Sequence, residues 1–375
     1  MKIGFIGVGR LGLGLALLIE KAGYSVLASD VRPEYVQVLN EKTFNTTEPT
    51  VGTLLQYSKN IEFTVDNRRV IRECDLIFTL VQTPSLEDGS YDVSAVWKVV
   101  EDIKEEMSMV ANYPKSFVVG CTTNPGDCDL FKEELPASVD VYYNPEFIAQ
   151  GSIIQGIQNA DMVLVGGNGH HVPLIEEIYK RIQDGFGGSN VHFMSTKAAE
   201  LTKIAVNCYL TTKISYANMV GQVMVNSGMD DEVDTVLKAI GSDSRIGRKY
   251  LGFGFGFGGP CFPRDNRAFA AYAQQIGVEH NIGTTTDNFN DAHSKFLKDW
   301  FISKNPDKEV PFCFKYLTYK PGTDILEESQ QYRLSLDLLE EGYKVYCIDE
   351  TLKEQMDDRI VFDPAPLEQV CWIDL

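Results

Sequence analysis

Long apolar runs are missing from this 375-residue sequence. No stretch reaches the roughly 18 apolar residues that a membrane-spanning helix needs, so we expect no membrane span. The N-terminus does not resemble a secretory signal, because the apolar stretch after Lys2 contains closely spaced glycines and runs into Arg10. These two features predict a cytoplasmic protein.

Cysteine and histidine are also sparse. Eight cysteines and five histidines are scattered along the chain, with no CxxC pair and no spacing typical of metal ligands. This pattern excludes a disulfide scaffold and predicts no metal site. We expect reduced thiols, of which seven fit small core side chains and Cys261 is the exception.

Basic side chains are few compared with acidic ones. The chain has 34 Lys and Arg against 53 Asp and Glu, which leaves a formal net charge of −19. Such a charge repels phosphate backbones and anionic membrane surfaces, so we expect no nucleic-acid partner and no membrane partner. The composition is otherwise ordinary, with 44% hydrophobic and 23% charged residues, which excludes a mainly disordered chain. The length predicts two or three domains.

The first thirty residues follow a strand–turn–helix–strand pattern. A short apolar strand over residues 3–6 leads into a turn of the form GxGxxG over residues 7–12. A helical pattern over residues 13–22 follows, and then a strand over residues 24–29 that ends at Asp30. This combination is typical of the dinucleotide-binding unit of a Rossmann domain.

The turn and the acid after the second strand predict the cofactor. We expect Gly7 to allow the tight turn, Gly9 to let the backbone approach a pyrophosphate, and Gly12 to allow close packing of helix on strand. The pyrophosphate would lie at the helix N-terminus. Asp30 lies 18 residues after Gly12, where it can accept hydrogen bonds from ribose hydroxyls and repel a 2′-phosphate. NAD is therefore favoured over NADP, although the neighbouring Arg32 works against this preference.

The α/β pattern continues to about residue 190. Strand-like runs occur at residues 76–81, 117–120, 139–143 and 162–166. The helical pattern over residues 196–225 is long enough to join two domains, and a second α/β pattern without the glycine turn begins at residue 310. We predict an α/β fold of two Rossmann-like doubly wound domains joined by a long central helix.

A glycine-rich segment over residues 252–263 carries the strongest chemical signal. It is too short for a linker and too aromatic for a disordered stretch, so we interpret it as a site loop. Cys261 lies between a glycine pair and a proline, where the backbone is restricted. Asp265 follows four residues later, close enough to orient a water or a cation.

This segment resembles the signature of the UDP-glucose/GDP-mannose dehydrogenase family, and most of all its UDP-glucose 6-dehydrogenase branch. The family pattern is GFGGSCFPKD, and this chain has GFGGPCFPRD. Further segments match in the same order, namely the glycine turn, YNPEF at 143–147, ELTKIAVN at 200–207 and YKPGTD at 319–324 with Glu328 and Ser329. The resemblance covers nearly the whole chain.

The resemblance implies a reaction and a catalytic set. The family oxidises a sugar CH₂OH to a carboxylate in two steps, with two NAD⁺ and without release of the aldehyde. The implied catalytic residues are Cys261, Lys203, Asp265, Asn207, Glu146 and Thr123. Cys261 would be the nucleophile, and Lys203 would stabilise the oxyanion and favour the thiolate.

The remaining four residues of the set have supporting roles. Asn207 would share a helix face with Lys203, and Asp265 would hold Lys203 and a catalytic water. Thr123 would help to bind that water. Glu146 would take part in proton transfer or in hydrolysis of the thioester.

The resemblance also implies residues that bind the cofactor and the substrate. The implied cofactor residues are Gly7, Gly9, Arg10, Leu11, Gly12, Asp30, Thr83, Thr123 and Arg264. The implied substrate residues are Glu146, Phe147, Lys203, Asn207, Arg245, Tyr250, Gly258 and Lys320, and residues 147–151 resemble the loop that binds the sugar and phosphates. Arg245 matches an arginine that reaches the substrate of a neighbouring subunit, which implies a homodimer.

The resemblance also suggests a domain division. It places an NAD-binding domain at 1–195, a helical dimerisation region with the cysteine loop at 196–295 and a short UDP-sugar-binding domain at 296–375. One departure concerns Glu327, which stands where the family usually has an arginine that contacts NAD.

Three alternatives to UDP-glucose oxidation stay open. The same chemistry on GDP-mannose or on a UDP-N-acetylhexosamine is possible. Phe262 in place of the usual leucine speaks against the first, and Pro260 in place of the usual histidine against the second. A binding protein without activity is the third, although Cys261, Lys203, Asn207 and Asp265 are all present.

Overall fold

The computed structural model describes residues 1–109, 114–148, 151–167, 172–188, 190–364 and 369–375. The chain forms two compact units, Met1–Lys203 and Ile204–Leu375, and the boundary falls inside one long helix. The three-part domain division suggested by the sequence stays a prediction. Among the described residues, none of the helices combines the length and apolar character that a bilayer crossing requires.

The first unit is built on an eight-stranded sheet. Its strands are β1 (Lys2–Ile6), β2 (Ser25–Ser29), β3 (Ile61–Thr64), β4 (Leu76–Thr79), β5 (Lys115–Val119), β6 (Val139–Tyr143), β7 (Met162–Gly166) and β8 (Asn190–Met194). Its helices are α1 (Arg10–Lys21), α2 (Pro33–Asn40), α3 (Val51–Tyr57), α4 (Asn67–Glu73), α5 (Ser94–Met109), α6 (Asp127–Glu134), α7 (Ile153–Gln158), α8 (Val172–Ile182) and the first part of α9 (Thr196–Asn226).

The strand order indicates which edge of this sheet binds ligands. The order is β3-β2-β1-β4-β5-β6-β7-β8, and the first six of these strands are parallel. β7 runs antiparallel to β6, and β8 is parallel to β7. The carboxyl ends of β1 to β6 therefore share one edge, with the switch in strand order between β1 and β4, where open α/β sheets bind ligands.

The apolar run of β1 is buried on both faces of the sheet. Ile3 and Phe5 belong to one hydrophobic cluster, and Ile6 belongs to the cluster on the other face, as the alternation of side chains along a strand requires. The ring of Phe5 stacks on that of Phe78 in the neighbouring β4, with centroids 5.2 Å apart. Burial on both faces explains why these strands have nearly continuous apolar sequences.

The second unit contains a small parallel sheet. Its strands, in the order β11-β10-β9-β12, are β9 (Phe312–Phe314), β10 (Val345–Cys347), β11 (Val361–Phe362) and β12 (Cys371–Ile373). Its helices are the rest of α9, α10 (Val233–Gly241), α11 (Phe262–Gln275), α12 (Ile282–Lys304) and α13 (Gln330–Glu340), with short 3₁₀ turns at Asp230–Glu232 and Lys353–Gln355.

Buried polar groups connect three helices of this unit. The hydroxyl of Thr211 on α9 donates to Oδ1 of Asn266 on α11 at 3.0 Å. The amide of Asn266 donates to the carbonyl of Gly283 on α12 at 2.8 Å. These bonds satisfy groups that would otherwise be costly to bury, so they hold the start of α11 in place.

The observed elements follow the predicted ones closely. The helix predicted at 13–22 begins earlier, at Arg10, because Gly9 already acts as its N-cap. The predicted helix at 196–225 is α9, and the strands at 139–143 and 162–166 are β6 and β7. β3 and β8 lack a continuous buried run, which is why the sequence did not indicate them.

Candidate active site

Candidate residues collect at the carboxyl edge of the first sheet. In strand order, Asp30 follows β2, the glycine turn 7–12 follows β1, Thr83 follows β4, Thr123 follows β5 and Glu146 follows β6. The parallel direction of these strands brings the five loops to one edge. The predicted NAD residues of this unit therefore lie where a dinucleotide is bound in such sheets.

The glycine turn leaves room for a ligand at the start of α1. Gly7 has a φ of +89°, and a Cβ on Gly12 would lie 2.3 Å from the carbonyl oxygen of Gly7, so both positions require glycine. A Cβ on Gly9 would meet none of the described atoms within 4 Å. This open space beside a helix N-terminus fits a pyrophosphate. Of the two cofactor candidates that follow, Arg10 is exposed and Leu11 is half-buried.

Asp30 is held by Arg32. The guanidinium donates from Nε to Oδ1 at 2.8 Å and from Nη2 to Oδ2 at 3.1 Å, and it lies 4.1 Å from the ring centroid of Tyr35. Burial raises the pKa of Asp30, but the hydrogen bonds and charge of Arg32 outweigh it and the pKa is lowered. The Asp30 carboxylate is thus an anion held in a fixed position. The cation beside it is Arg32, which the sequence analysis expected to work against the preference for NAD over NADP.

Thr123 is oriented by a buried glutamate on α9. Its hydroxyl donates to Oε1 of Glu200 at 2.8 Å, and the backbone N–H groups of Gly126 and Cys128 also donate to this carboxylate, at 2.6 and 2.9 Å. Burial raises the pKa of Glu200, and these bonds oppose the rise. Sequence reasoning gave Glu200 no role, although an acid one helical turn before Lys203 was a possible signal.

Glu146 lies in a setting suited to proton exchange. Its carboxylate is buried and accepts a hydrogen bond from the hydroxyl of Tyr179. Burial raises its pKa to about 7, against the lowering effects of the Tyr179 hydrogen bond and of the Lys203 charge. Nζ of Lys203 lies 5.0 Å from the ring centroid of Phe147. A carboxyl group with a pKa near neutrality can both accept and donate a proton.

The predicted sugar-binding segment at 147–151 is only partly described. Ala149 and Gln150 lie outside the described residues. Gly151 N donates to Oε1 of the buried Glu48 at 2.6 Å, which attaches the end of this segment to the loop before α3.

Cys261 in the second unit lies immediately before α11 and is exposed. The N-terminal end of a helix stabilises negative charge, which fits the thiolate expected of the predicted nucleophile. In the first turn of α11, the buried carboxylate of Asp265 accepts a hydrogen bond from Nδ2 of Asn207 at 2.5 Å. The predicted nucleophile and acid thus share one helix end, and Asn207 on α9 is bonded to that acid.

The glycines before Cys261 make room for a neighbouring loop. A Cβ on Gly258 would lie 2.3 Å from the carbonyl oxygen of Glu328. Gly259 has a φ of +78°, and its N–H donates to the carbonyl of Glu327 at 3.1 Å. The same loop carries Lys320, which is half-buried. The cysteine loop is therefore supported by the segment between β9 and α13.

Three further predicted residues are partly or largely exposed. Arg264 forms an ion pair with Glu327, with Nη2 and Oε1 2.6 Å apart. The Arg245 side chain is 86% exposed and pairs with Asp243 of the same chain at 2.7 Å. Tyr250 is exposed and has a φ of +60°, a left-handed conformation in which a tyrosine is strained.

Comparison with known proteins decides the family. Residues 1–183 match the NAD binding domain of the UDP-glucose/GDP-mannose dehydrogenase family, and residues 197–292 match the central domain of that family. The chain belongs to this family.

Individual relatives agree with this assignment. UDP-glucose 6-dehydrogenase AglM of Haloferax volcanii is 28% identical over 370 residues, which cover 96% of this chain and 85% of AglM. A UDP-glucose dehydrogenase structure from Pyrobaculum islandicum has a TM-score of 0.87 at 27% identity and covers 97% of this chain and 86% of its own. A UDP-D-ManNAc dehydrogenase from Pyrococcus horikoshii has a TM-score of 0.80 at 19% identity, covers 98% and 86%, and shows the common fold alone.

Because the chain belongs to the UDP-glucose/GDP-mannose dehydrogenase family, it has the general activity of that family. The predicted family, the α/β fold and the NAD cofactor are confirmed. The chain is thus an NAD-dependent nucleotide-sugar dehydrogenase by family. The open cradle at Gly9 and the anion at Asp30 fit the cofactor that the family uses.

The described contacts bring the candidate residues together within each unit. In the first unit, Lys203 acts on Glu146 and lies over Phe147, while Thr123 is bonded to Glu200. In the second unit, the contacts involve Asn207, Asp265, Gly258, Gly259, Arg264 and Glu327. Among the described residues, no group of three or more His, Cys, Asp or Glu side chains could hold a metal ion. Sequence reasoning missed Tyr179, which bonds to Glu146.

Proposed function

We propose that this nucleotide-sugar dehydrogenase oxidises UDP-glucose to UDP-glucuronate through a thiohemiacetal and a thioester on Cys261. The observation that carries the proposal is the exposed Cys261 at the start of α11, one turn from the Asp265–Asn207 hydrogen bond. Family membership supports the reaction class, and relatives named as UDP-glucose dehydrogenases support the sugar. Pro260 and Phe262 favour UDP-glucose over UDP-N-acetylhexosamines and GDP-mannose.

The first oxidation requires a base and an oxyanion partner. The glycine turn and Asp30 would hold NAD⁺, which would supply a hydride acceptor for each of the two oxidations. An alcohol can release a hydride only if its proton also leaves, and Asp265 removes that proton through a water. Lys203 stabilises the alkoxide that develops on the sugar oxygen. The hydroxyl of Thr123 donates to Glu200, so its oxygen stays able to accept a hydrogen bond from a water.

The second oxidation requires a covalent adduct. The Cys261 thiolate adds to the aldehyde carbon, a C–S bond forms, and Lys203 stabilises the resulting oxyanion. Loss of hydride from this thiohemiacetal gives a thioester. Glu146 takes one proton from the water that attacks the thioester carbonyl. The C–S bond then breaks to release the thiolate and the carboxylic acid, which loses its proton to solvent and leaves as the carboxylate product. The catalytic thiol has to stay reduced, so the proposal places the enzyme in the cytoplasm.

A homodimer is part of this proposal. Tyr209, Tyr216 and Val223 are exposed at intervals of seven residues on α9, which places three apolar side chains on one helix face. A second copy of the chain would cover this face. The exposed Arg245 would then reach the substrate of the partner.

The test separates the two oxidations. In Cys261→Ala, reduction of the aldehyde by NADH should persist, while formation of the uronate falls by roughly three orders of magnitude, the scale of losing a covalent nucleophile. Lys203→Ala should depress both steps, because an oxyanion develops in each. Uronate yield by mass spectrometry and NADH stoichiometry are measured together.

The control is Cys371→Ala, which removes a thiol that the proposal does not use. Two NADH per UDP-glucose at a near-normal rate in Cys261→Ala would falsify the covalent mechanism. A panel of GDP-mannose and UDP-N-acetylhexosamines tests the choice of sugar, since a higher kcat/KM for any of them would overturn the assignment to UDP-glucose.

A further inference from the structure

Glu146, Tyr179 and Asn144 form a buried hydrogen-bonded group in the first unit. Tyr179 lies on α8, and the other two residues follow β6. The hydroxyl of Tyr179 lies within hydrogen-bond distance of Oε1 of Glu146 and 2.9 Å from Oδ1 of Asn144. A single hydroxyl therefore faces two side-chain oxygens.

The orientation of the Asn144 amide is determined by the sheet. Its Nδ2 lies 2.9 Å from the carbonyl oxygen of Leu164 in β7. A carbonyl oxygen can only accept, so the amide nitrogen has to face Leu164 and the amide oxygen has to face Tyr179. Both neighbours of the hydroxyl are thus acceptors when Glu146 is ionised.

A tyrosine has one hydroxyl hydrogen, so it can satisfy only one of these acceptors at a time. With Glu146 ionised, the hydrogen goes to the carboxylate, because a charge-assisted bond is the stronger. With Glu146 protonated, its own O–H can donate to the Tyr179 oxygen, and the tyrosine hydrogen is released for Oδ1 of Asn144. When Glu146 is protonated, both hydroxyl hydrogens of the group have an acceptor. When Glu146 is ionised, its carboxylate accepts a strong hydrogen bond from Tyr179.

We propose that Tyr179 is a positioning residue that acts through Glu146, by turning its hydroxyl hydrogen between Glu146 and Asn144 as Glu146 changes protonation state. The inference rests on the proton-transfer role proposed for Glu146. Tyr179 keeps its own proton throughout, and the proton that Glu146 gains comes from the attacking water and leaves to solvent. Burial raises the pKa of Tyr179 well above its usual value, which is consistent with a hydroxyl that stays protonated.

The arrangement predicts two shifts of opposite sign. Burial raises the pKa of Glu146 to about 7, and among the described residues Tyr179 on α8 and Lys203 on α9 are the titratable groups that lower it. Tyr179→Phe removes the stronger bond of the ionised form, so the pKa of Glu146 should rise. Asn144→Leu removes the acceptor that the protonated form needs, so the pKa of Glu146 should fall.

The titration of Glu146 can be measured directly in the full chain. Carbon-13 labelling of glutamate side-chain carboxyls gives resonances that titrate with pH, and Glu146→Gln identifies the relevant one by its disappearance. The midpoint in Tyr179→Phe should lie about 1–2 pH units higher than in the unaltered protein, the shift expected from losing a hydrogen bond to a charged group. Tyr343→Phe is the matched control, because that buried hydroxyl donates to the Asn305 carbonyl at 3.0 Å in the other unit.

The rate profile of thioester hydrolysis is the second measurement. Hydrolysis needs ionised Glu146, so its rate falls as the pH drops through this pKa, and the acidic limb in Tyr179→Phe should move up by the same shift. An unchanged or lower midpoint in Tyr179→Phe overturns the inference, whether or not Asn144→Leu folds. A raised midpoint in Tyr179→Phe and a lowered one in Asn144→Leu, with an unaltered rate profile, support the hydrogen switch and overturn the role of Glu146 in the proposed function.

Discussion

Arg264 and Glu327 form an ion pair in which Nη2 of the guanidinium lies 2.6 Å from Oε1 of the carboxylate. The two residues are 63 positions apart, and the pair joins the first turn of α11, next to Cys261, to the segment before α13. The sequence indicated Arg264 as a cofactor residue and Glu327 as an acid in place of the usual arginine. In the folded chain, Glu327 is paired with Arg264, the cation that the sequence analysis expected to bind the cofactor.

Glu327→Gln should therefore strengthen NAD binding. The substitution releases Arg264 from its partner, and an exposed ion pair contributes at most about 1 kcal/mol, so the dissociation constant should fall by up to roughly fivefold. Isothermal titration calorimetry with NAD⁺ at low and high salt measures the effect, which should shrink as salt screens the charges. Glu309→Gln, which breaks the exposed pair with Lys344, is the control. An unaltered dissociation constant in Glu327→Gln contradicts the prediction.

Asp30 and Arg32 should together set the preference between the two nicotinamide cofactors. The unaltered enzyme should use NAD⁺ with a much higher kcat/KM than NADP⁺, because the Asp30 carboxylate repels a 2′-phosphate. Asp30→Ser should narrow this preference by about tenfold or more, since it also releases the Arg32 guanidinium to bind that phosphate.

The double variant Asp30→Ser with Arg32→Ala tests whether the released Arg32 guanidinium binds the 2′-phosphate. It should lose the NADP⁺ activity that Asp30→Ser gains, while its NAD⁺ activity stays close to that of the single variant. Equal efficiency with both cofactors in the unaltered enzyme would show that Asp30 does not discriminate between them.

Arg245 should act on the site of a partner chain. Its side chain points into solvent beside Asp243 within its own chain. Mixing Arg245→Ala chains with Cys261→Ala chains should restore activity in hybrid dimers, because one site of each hybrid then has an intact Cys261 and an intact Arg245. Purified hybrids carrying two different tags are assayed for uronate formation. No recovery in verified hybrids would place the action of Arg245 within its own chain.

Much of the fold could be predicted from the sequence because its signals are local. The spacing of Gly7, Gly9 and Gly12 encodes a turn whose geometry depends on only a few residues. The absence of proline, and of glycine before Gly221, predicted α9 almost to the residue, and the apolar runs predicted β6 and β7. The motif around Cys261 marked the candidate nucleophile through its resemblance to the family signature.

Other features depended on the tertiary structure. The antiparallel direction of β7 is decided by sheet pairing, because its buried apolar run is like that of the parallel strands. The edge strands β3 and β8 also depend on pairing, since an exposed or half-buried strand has a weak sequence signal. The pattern of apolar residues did not indicate β3 and β8, because neither strand contains a continuous run of buried apolar side chains.

The sequence by itself determined the family, the cofactor and the identity of the chemical groups. It contained Glu146 as an acid, but its ability to exchange a proton near neutrality comes from burial and from Tyr179, which is 33 positions away. The same holds for the bonds of Thr123 to Glu200 and of Arg264 to Glu327, whose partners are 77 and 63 positions apart. Burial and long-range pairing are properties of the packed chain, because the dielectric surroundings and hydrogen-bond partners of a side chain are set by residues that only folding brings near.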